Sequence, residues 1–153
     1  MQTIHFNTAM AITGLSRSSL WRRISTNQGS SETVGEVRGH TRVRINLDSA
    51  LAWAKLSLQD DDRELILSAD AEHADAQCDL GLLLLEVGHP KRAIYWLEKA
   101  AAQGFADAMQ WLSQCYARGD GVEPDEAQAA VWLKKAAQHG SVIAQRQVEA
   151  LGL

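Results

Sequence analysis

The chain has 153 residues, 46% of them hydrophobic and 22% charged, with two cysteines and a formal net charge of −4. That is enough apolar material for one ordinary domain or two small ones, and too much for a disordered polyelectrolyte. No apolar run approaches the roughly eighteen residues that a membrane helix needs, so a membrane-spanning role is excluded.

The net charge conceals a split. Residues 1–58 carry seven Lys/Arg against three Asp/Glu, and residues 59–153 carry eight against sixteen. The front is therefore +4 and the back −8, which predicts two domains with different jobs, 1–58 and 59–153, meeting near Gln59-Asp60-Asp61-Asp62. The N-terminus shows no charged start followed by an apolar stretch, so no secretion signal is expected. Cys78 and Cys115 have no disulfide or metal-ligand pattern, which suits a reducing, cytoplasmic setting.

In chain order, residues 8–14 predict a short helix ending at Gly14, and Ser16 predicts the N-cap of a second. On that second helix Leu20 and Ile24 point one way, Arg17, Ser18, Arg22 and Ser25 the other, with Trp21 near the edge and expected in the core. "TVGEV" and "TRVRI" flank "RGHT", a hairpin pattern. It puts Val43 and Ile45 on one face of the second strand, Arg42 and Arg44 on the other, and Arg38 and His40 at the tip. A third helix then carries Leu47, Leu51, Ala54 and Leu58 on one side. Helix, glycine turn, helix, basic hairpin and closing helix make a winged helix-turn-helix.

"TGLSRSSLWRRI", the basic hairpin and "NLDSALAW" are together similar to the MerR/excisionase-like group, in particular the small AlpA-type regulators. That resemblance covers residues 2–58. It implies binding of double-stranded DNA through the second helix and the wing, here Ser16–Arg23 and Arg38–Arg44. In that role Arg17 and Arg22 suit guanine edges, since arginine makes two parallel bonds to guanine in the major groove. Ser16 caps the helix, Ser18 and Ser19 position phosphates, and Arg38, His40, Arg42 and Arg44 lie along the backbone. Neutralising about four phosphates predicts a salt slope of about −3.6. One such module buries only about 600–1,000 Å² on DNA, so a homodimer or a helper protein is expected.

The acidic part copies itself. "ADAQCDLG" at Ala74–Gly81 returns as "ADAMQWLS" at Ala106–Ser113, and "YWLEKAAAQG" at Tyr95–Gly104 returns as "VWLKKAAQHG" at Val131–Gly140. A third start, "VIAQRQ", follows at Val142–Gln147, and Leu65–Glu72 reads as the worn second helix of an earlier unit. Such a period predicts stacked helical pairs. In the first pair Ala76, Leu80, Leu83, Leu84 and Val87 share a face, Gly88 ends the helix and Pro90 starts the next. Trp53, Trp96, Trp111 and Trp132 fall at core spacing.

The "AxAQxxLG" start, the "GDGVxxD" turn (Gly119–Val122, Asp125) and the "AxxWLxKAAxxG" finish resemble the Sel1-like repeat, a relative of the tetratricopeptide repeat. The resemblance covers about residues 65–150 and implies an adaptor surface for protein contacts. The fold expected is thus mainly α: a small winged helix-turn-helix domain followed by a short α-solenoid of Sel1-like helical hairpins.

No glycine-rich phosphate loop, nucleophile elbow or paired-carboxylate arrangement is present, and the five histidines do not cluster. No enzyme, metal or cofactor is therefore expected. The first functional reading is a DNA-binding transcriptional regulator whose repeats bind a partner protein or a second copy. The alternative is an adaptor that does not bind DNA and is built on the repeats.

Overall fold

A computed structural model describes residues 2–26, 31–37, 40–56 and 58–153, and for residues 31–37, 40–42 and 60 it describes the backbone alone. Among the described residues there are three strands and nine helices. They fall into two compact units, Met1–Asp70 and Ala71–Leu153.

In the first unit, strand β1 (Thr3–His5) runs directly into helix α1 (Phe6–Thr13). Gly14 ends α1 in the left-handed conformation at φ 68°, which a Cβ disfavours. Helix α2 (Arg17–Thr26) follows after two residues, and the Ser16 hydroxyl accepts from the Ser19 N–H as an N-cap should. Strands β2 (Ser31–Val37) and β3 (His40–Asn46) form an antiparallel hairpin with a register shift between Thr33 and Glu36. β1 pairs with the other edge of β3, Ile4 opposite Ile45, giving the sheet order β1-β3-β2. Helix α3 (Leu47–Ala54) is capped by the Asn46 side chain, which accepts from the Ser49 N–H. Ile4, Ile12, Leu20, Ile45 and Leu47 are fully buried and form the core of this unit.

Helix α4 (Asp60–Asp70) belongs to this unit and not to the repeats. The division therefore falls after residue 70, twelve residues beyond the charge switch at 58. Composition marked where the acidic residues begin, but packing decides the border. Ile66 and Ala69 are buried, and Asp70 is tied to β1 and β3.

The second unit is two helical hairpins and a last helix. They are α5 (Ala74–Glu86) with α6 (Pro90–Ala102), α7 (Ala106–Arg118) with α8 (Glu126–Gln138), and α9 (Val142–Leu151). Within each hairpin a small residue brings the two helices together. A Cβ on Gly81 would meet the Leu97 side chain at 2.8 Å, and at the equivalent place the Ser113 hydroxyl donates to the Ala129 carbonyl at 2.8 Å. Leu97, Ala100, Leu112 and Ala136 are buried between neighbouring helices. Val87, expected on the buried face, is instead the C-cap of α5 and 39% exposed.

Candidate functional site

Two surfaces carry chemistry, one in each unit. The first is helix α2. Arg17, Ser18, Arg22 and Arg23 are exposed on it, and α2 contains no acidic residue. Leu20 and Ile24 face the core as the helical spacing predicted. Trp21 does not: it is 41% exposed, and its ring lies 5.1 Å from that of Phe6 on α1. The Arg17 guanidinium lies over the Phe6 ring, 5.4 Å from its centroid. Trp21 sits beside the seam between α1 and α2, where helical spacing alone could not separate edge from core. The three serines form a local cluster, Ser16 donating to the Ser19 hydroxyl at 2.9 Å and lying 3.2 Å from that of Ser18.

Arg44 is engaged within the unit. Its Nε donates to Thr3 Oγ1, one terminal nitrogen donates to the Thr3 carbonyl and to Asp70 Oδ2, and the other lies 3.0 Å from His5 Nε2. Asp70, its side chain 4% exposed, also accepts the backbone N–H of His5 and pairs with His5 Nδ1. Arg44 thus has partners within the unit, where the sequence suggested only a phosphate backbone. A buried carboxylate needs a cation, and Arg44 supplies it. Of the other hairpin residues, Arg38 lies outside the described residues, as do the side chains of His40 and Arg42.

The second surface is a groove between α5 and α7, about 650 Å³ in volume. Its apolar lining is Leu82, Leu85 and Trp111, with Glu86, Arg118 and Asp120 toward the loop end. Trp111 was expected in the core, but it lines this groove and is only partly buried. The repeat register held the signal. Trp111 falls at the position of Asp79 in the first repeat and Gln147 in the third, both polar. Trp96, by contrast, is fully buried.

Cys115 also reaches the groove lining, and Cys78 sits in the core below it. Burial pushes the Cys78 thiol up to about 12, with Asp79 and Asp107 adding to the effect. Burial pushes Cys115 up to about 11, Asp120 adding and Arg118 opposing. Both are inert thiols at neutral pH. Among the described residues, no three His, Cys, Asp or Glu side chains gather as metal ligands, and no helix is long and apolar enough to cross a membrane.

The Sel1 repeat family matches residues 74–105 and 106–141, so the two hairpins are Sel1 repeats and the match is confined to the second unit. A solved Sel1 repeat protein from Oxalobacter formigenes is similar at 33% identity and a TM-score of 0.53. That similarity covers 68% of this chain and 32% of the other, so this chain spans about a third of that protein's length. No curated protein matches.

Proposed function

We propose that the protein is an interaction scaffold that holds a partner protein on its Sel1 repeats. The observation that carries this reading is the groove between α5 and α7. It is an apolar-floored channel lined by a part-exposed tryptophan, on repeats that stack into a rigid frame. Tryptophan in a well-packed pocket is the side chain that most often dominates a protein interface. The test is affinity purification from source cells with the wild type and Trp111→Ala side by side. A partner retained by the first and lost by the second is expected, and the absence of any partner that depends on Trp111 overturns the reading.

A second reading rests on α2. Its exposed Arg17 and Arg22, beside Ser18 and free of acids, suit the major groove of double-stranded DNA, and an antiparallel hairpin, β2–β3, follows α2 in the chain as a wing follows a recognition helix. In this reading residues 2–58 are a winged helix-turn-helix in which Arg17 and Arg22 read bases. Arg38, His40 and Arg42 follow the phosphates, and the repeats bring two copies or a partner together. With Arg44 withdrawn, about three phosphates remain and the salt slope becomes about −2.7. Gel shifts of the full chain across a salt series, with light scattering for a dimer, test it. Undetectable binding at low salt, or binding unaffected by Arg17→Ala with Arg22→Ala, eliminates it.

A further inference from the structure

The groove between α5 and α7 is not electrically uniform, and its asymmetry specifies what it takes. On α5, Asp75, Asp79, Leu82 and Glu86 follow one another at helical steps along one stripe, the three acids exposed and Leu82 half-buried. The matching row on α7 is Asp107, Trp111, Gln114 and Arg118. The groove is lined by the later part of each row, with Leu82 and Trp111 apolar and Arg118 near Glu86 and Asp120; one turn earlier on each helix an exposed carboxylate, Asp79 before Leu82 and Asp107 before Trp111, flanks that lining. Asp79 and Asp107 come from different repeats, and each adds to the upward push that burial gives the Cys78 thiol, in keeping with their lying one turn before Leu82 and Trp111 on neighbouring rows.

Part of this pattern has a local cause. Asp75 and Asp107 lie in the first turns of their helices, where a carboxylate complements the helix dipole. Asp79 is one turn further on and gains nothing from that position. It stands exposed beside the apolar middle, in the row that Trp111 fills in the next repeat.

Resting on the scaffold reading, we infer that the groove takes a polypeptide segment of a partner protein in which basic side chains adjoin a bulky apolar one. The apolar side chain seats against Leu82 and Trp111 while the lysines or arginines meet Asp79 and Asp107. Charge complementarity of this kind sets orientation and rejects segments of the wrong sign. An acidic tail, which would bring like charges against Asp79 and Asp107, is excluded.

The test uses the full chain and three fluorescein-labelled short peptides read by anisotropy. One has two lysines before a Leu-Phe pair, the second has glutamates for the lysines, and the third has glycines for the Leu-Phe pair. The lysine peptide alone is expected to bind, more weakly as salt rises. Asp79→Asn combined with Asp107→Asn should weaken it about tenfold, and Trp111→Ala at least as much. The aspartates are exposed, so the double variant keeps the test valid even if Trp111→Ala fails to fold. Binding of the glutamate peptide, lost in Trp111→Ala, overturns the charge assignment and leaves the scaffold reading standing. Equal binding of all three, or of none, overturns the groove as the docking surface. The partner comparison above then decides the scaffold separately.

Discussion

Single side chains fix both units more sharply than composition suggests. Gly121 in the turn between α7 and α8 has φ +80°, and a Cβ there would lie 2.5 Å from the Pro90 carbonyl oxygen of the preceding hairpin. Gly88 has a similar φ of +83° and nothing within 4 Å. Gly88→Ala should therefore cost only the left-handed backbone penalty, about 1 kcal/mol, and Gly121→Ala about 2–3 kcal/mol more, because backbone must move. Thermal melts of the two variants separate the terms. Asp70 is the residue on which β1, β3 and α4 converge. Asp70→Ala leaves Arg44 without its carboxylate and should cost about 3 kcal/mol. Adding Arg44→Met to it should cost little further, which a double-mutant cycle in urea would show. The cysteines give a pH prediction. A thiol whose ionisation is pushed up stays protonated below that value, and only the thiolate alkylates. Native protein should thus resist iodoacetamide through the range where an ordinary thiol reacts, its rate rising only near the values of about 11 and about 12 for Cys115 and Cys78. Denatured protein should react as free cysteine does. Fast native alkylation would mean that the core opens.

At the scale of elements, the repeats were legible because their signal is redundant. The same spacing of Ala, Leu and Trp appears twice, and Gly and Pro punctuate each hairpin, so Pro90 begins α6 and Gly119 ends α7 where the pattern put them. Leu20, Ile24 and Ile45 were placed on the buried side by period alone. What sequence could not resolve were side chains whose environment is set by a distant element. Trp21 packs against Phe6 of α1 and stays 41% exposed, Arg44 turns to a carboxylate 26 residues away, and Trp111 faces a groove shared with α5. Helical spacing assigns a face, and only packing says whether that face is covered. Helix α7 lies between α6 and α8, so its core residues serve two interfaces. Leu112→Ala should cost about 2–5 kcal/mol and shift the unfolding of both hairpins together in circular dichroism. Two separated transitions would mean that the hairpins are less strongly coupled.

For the whole molecule, the division after Asp70 makes a prediction about fragments. Residues 1–70 should unfold cooperatively on their own, as should residues 71–153, each having its own core. A fragment ending at residue 58 lacks Ile66 and Asp70, and should be markedly less stable than 1–70 by chemical denaturation. Equal stability would show that α4 is dispensable. The same arrangement has a bearing on how the chain is made. Asp70 is synthesised after every strand and helix that it braces, so a growing polypeptide on the ribosome holds β1 and β3 without their clasp until that codon has been read and the segment has emerged. Through that interval Arg44 has no carboxylate to neutralise it. Residues 1–58 carry a net +4, and with Asp70 the eight cations and eight acids of residues 1–70 balance. Completion of α4 is therefore the step at which this part of the protein both locks and loses its net positive charge.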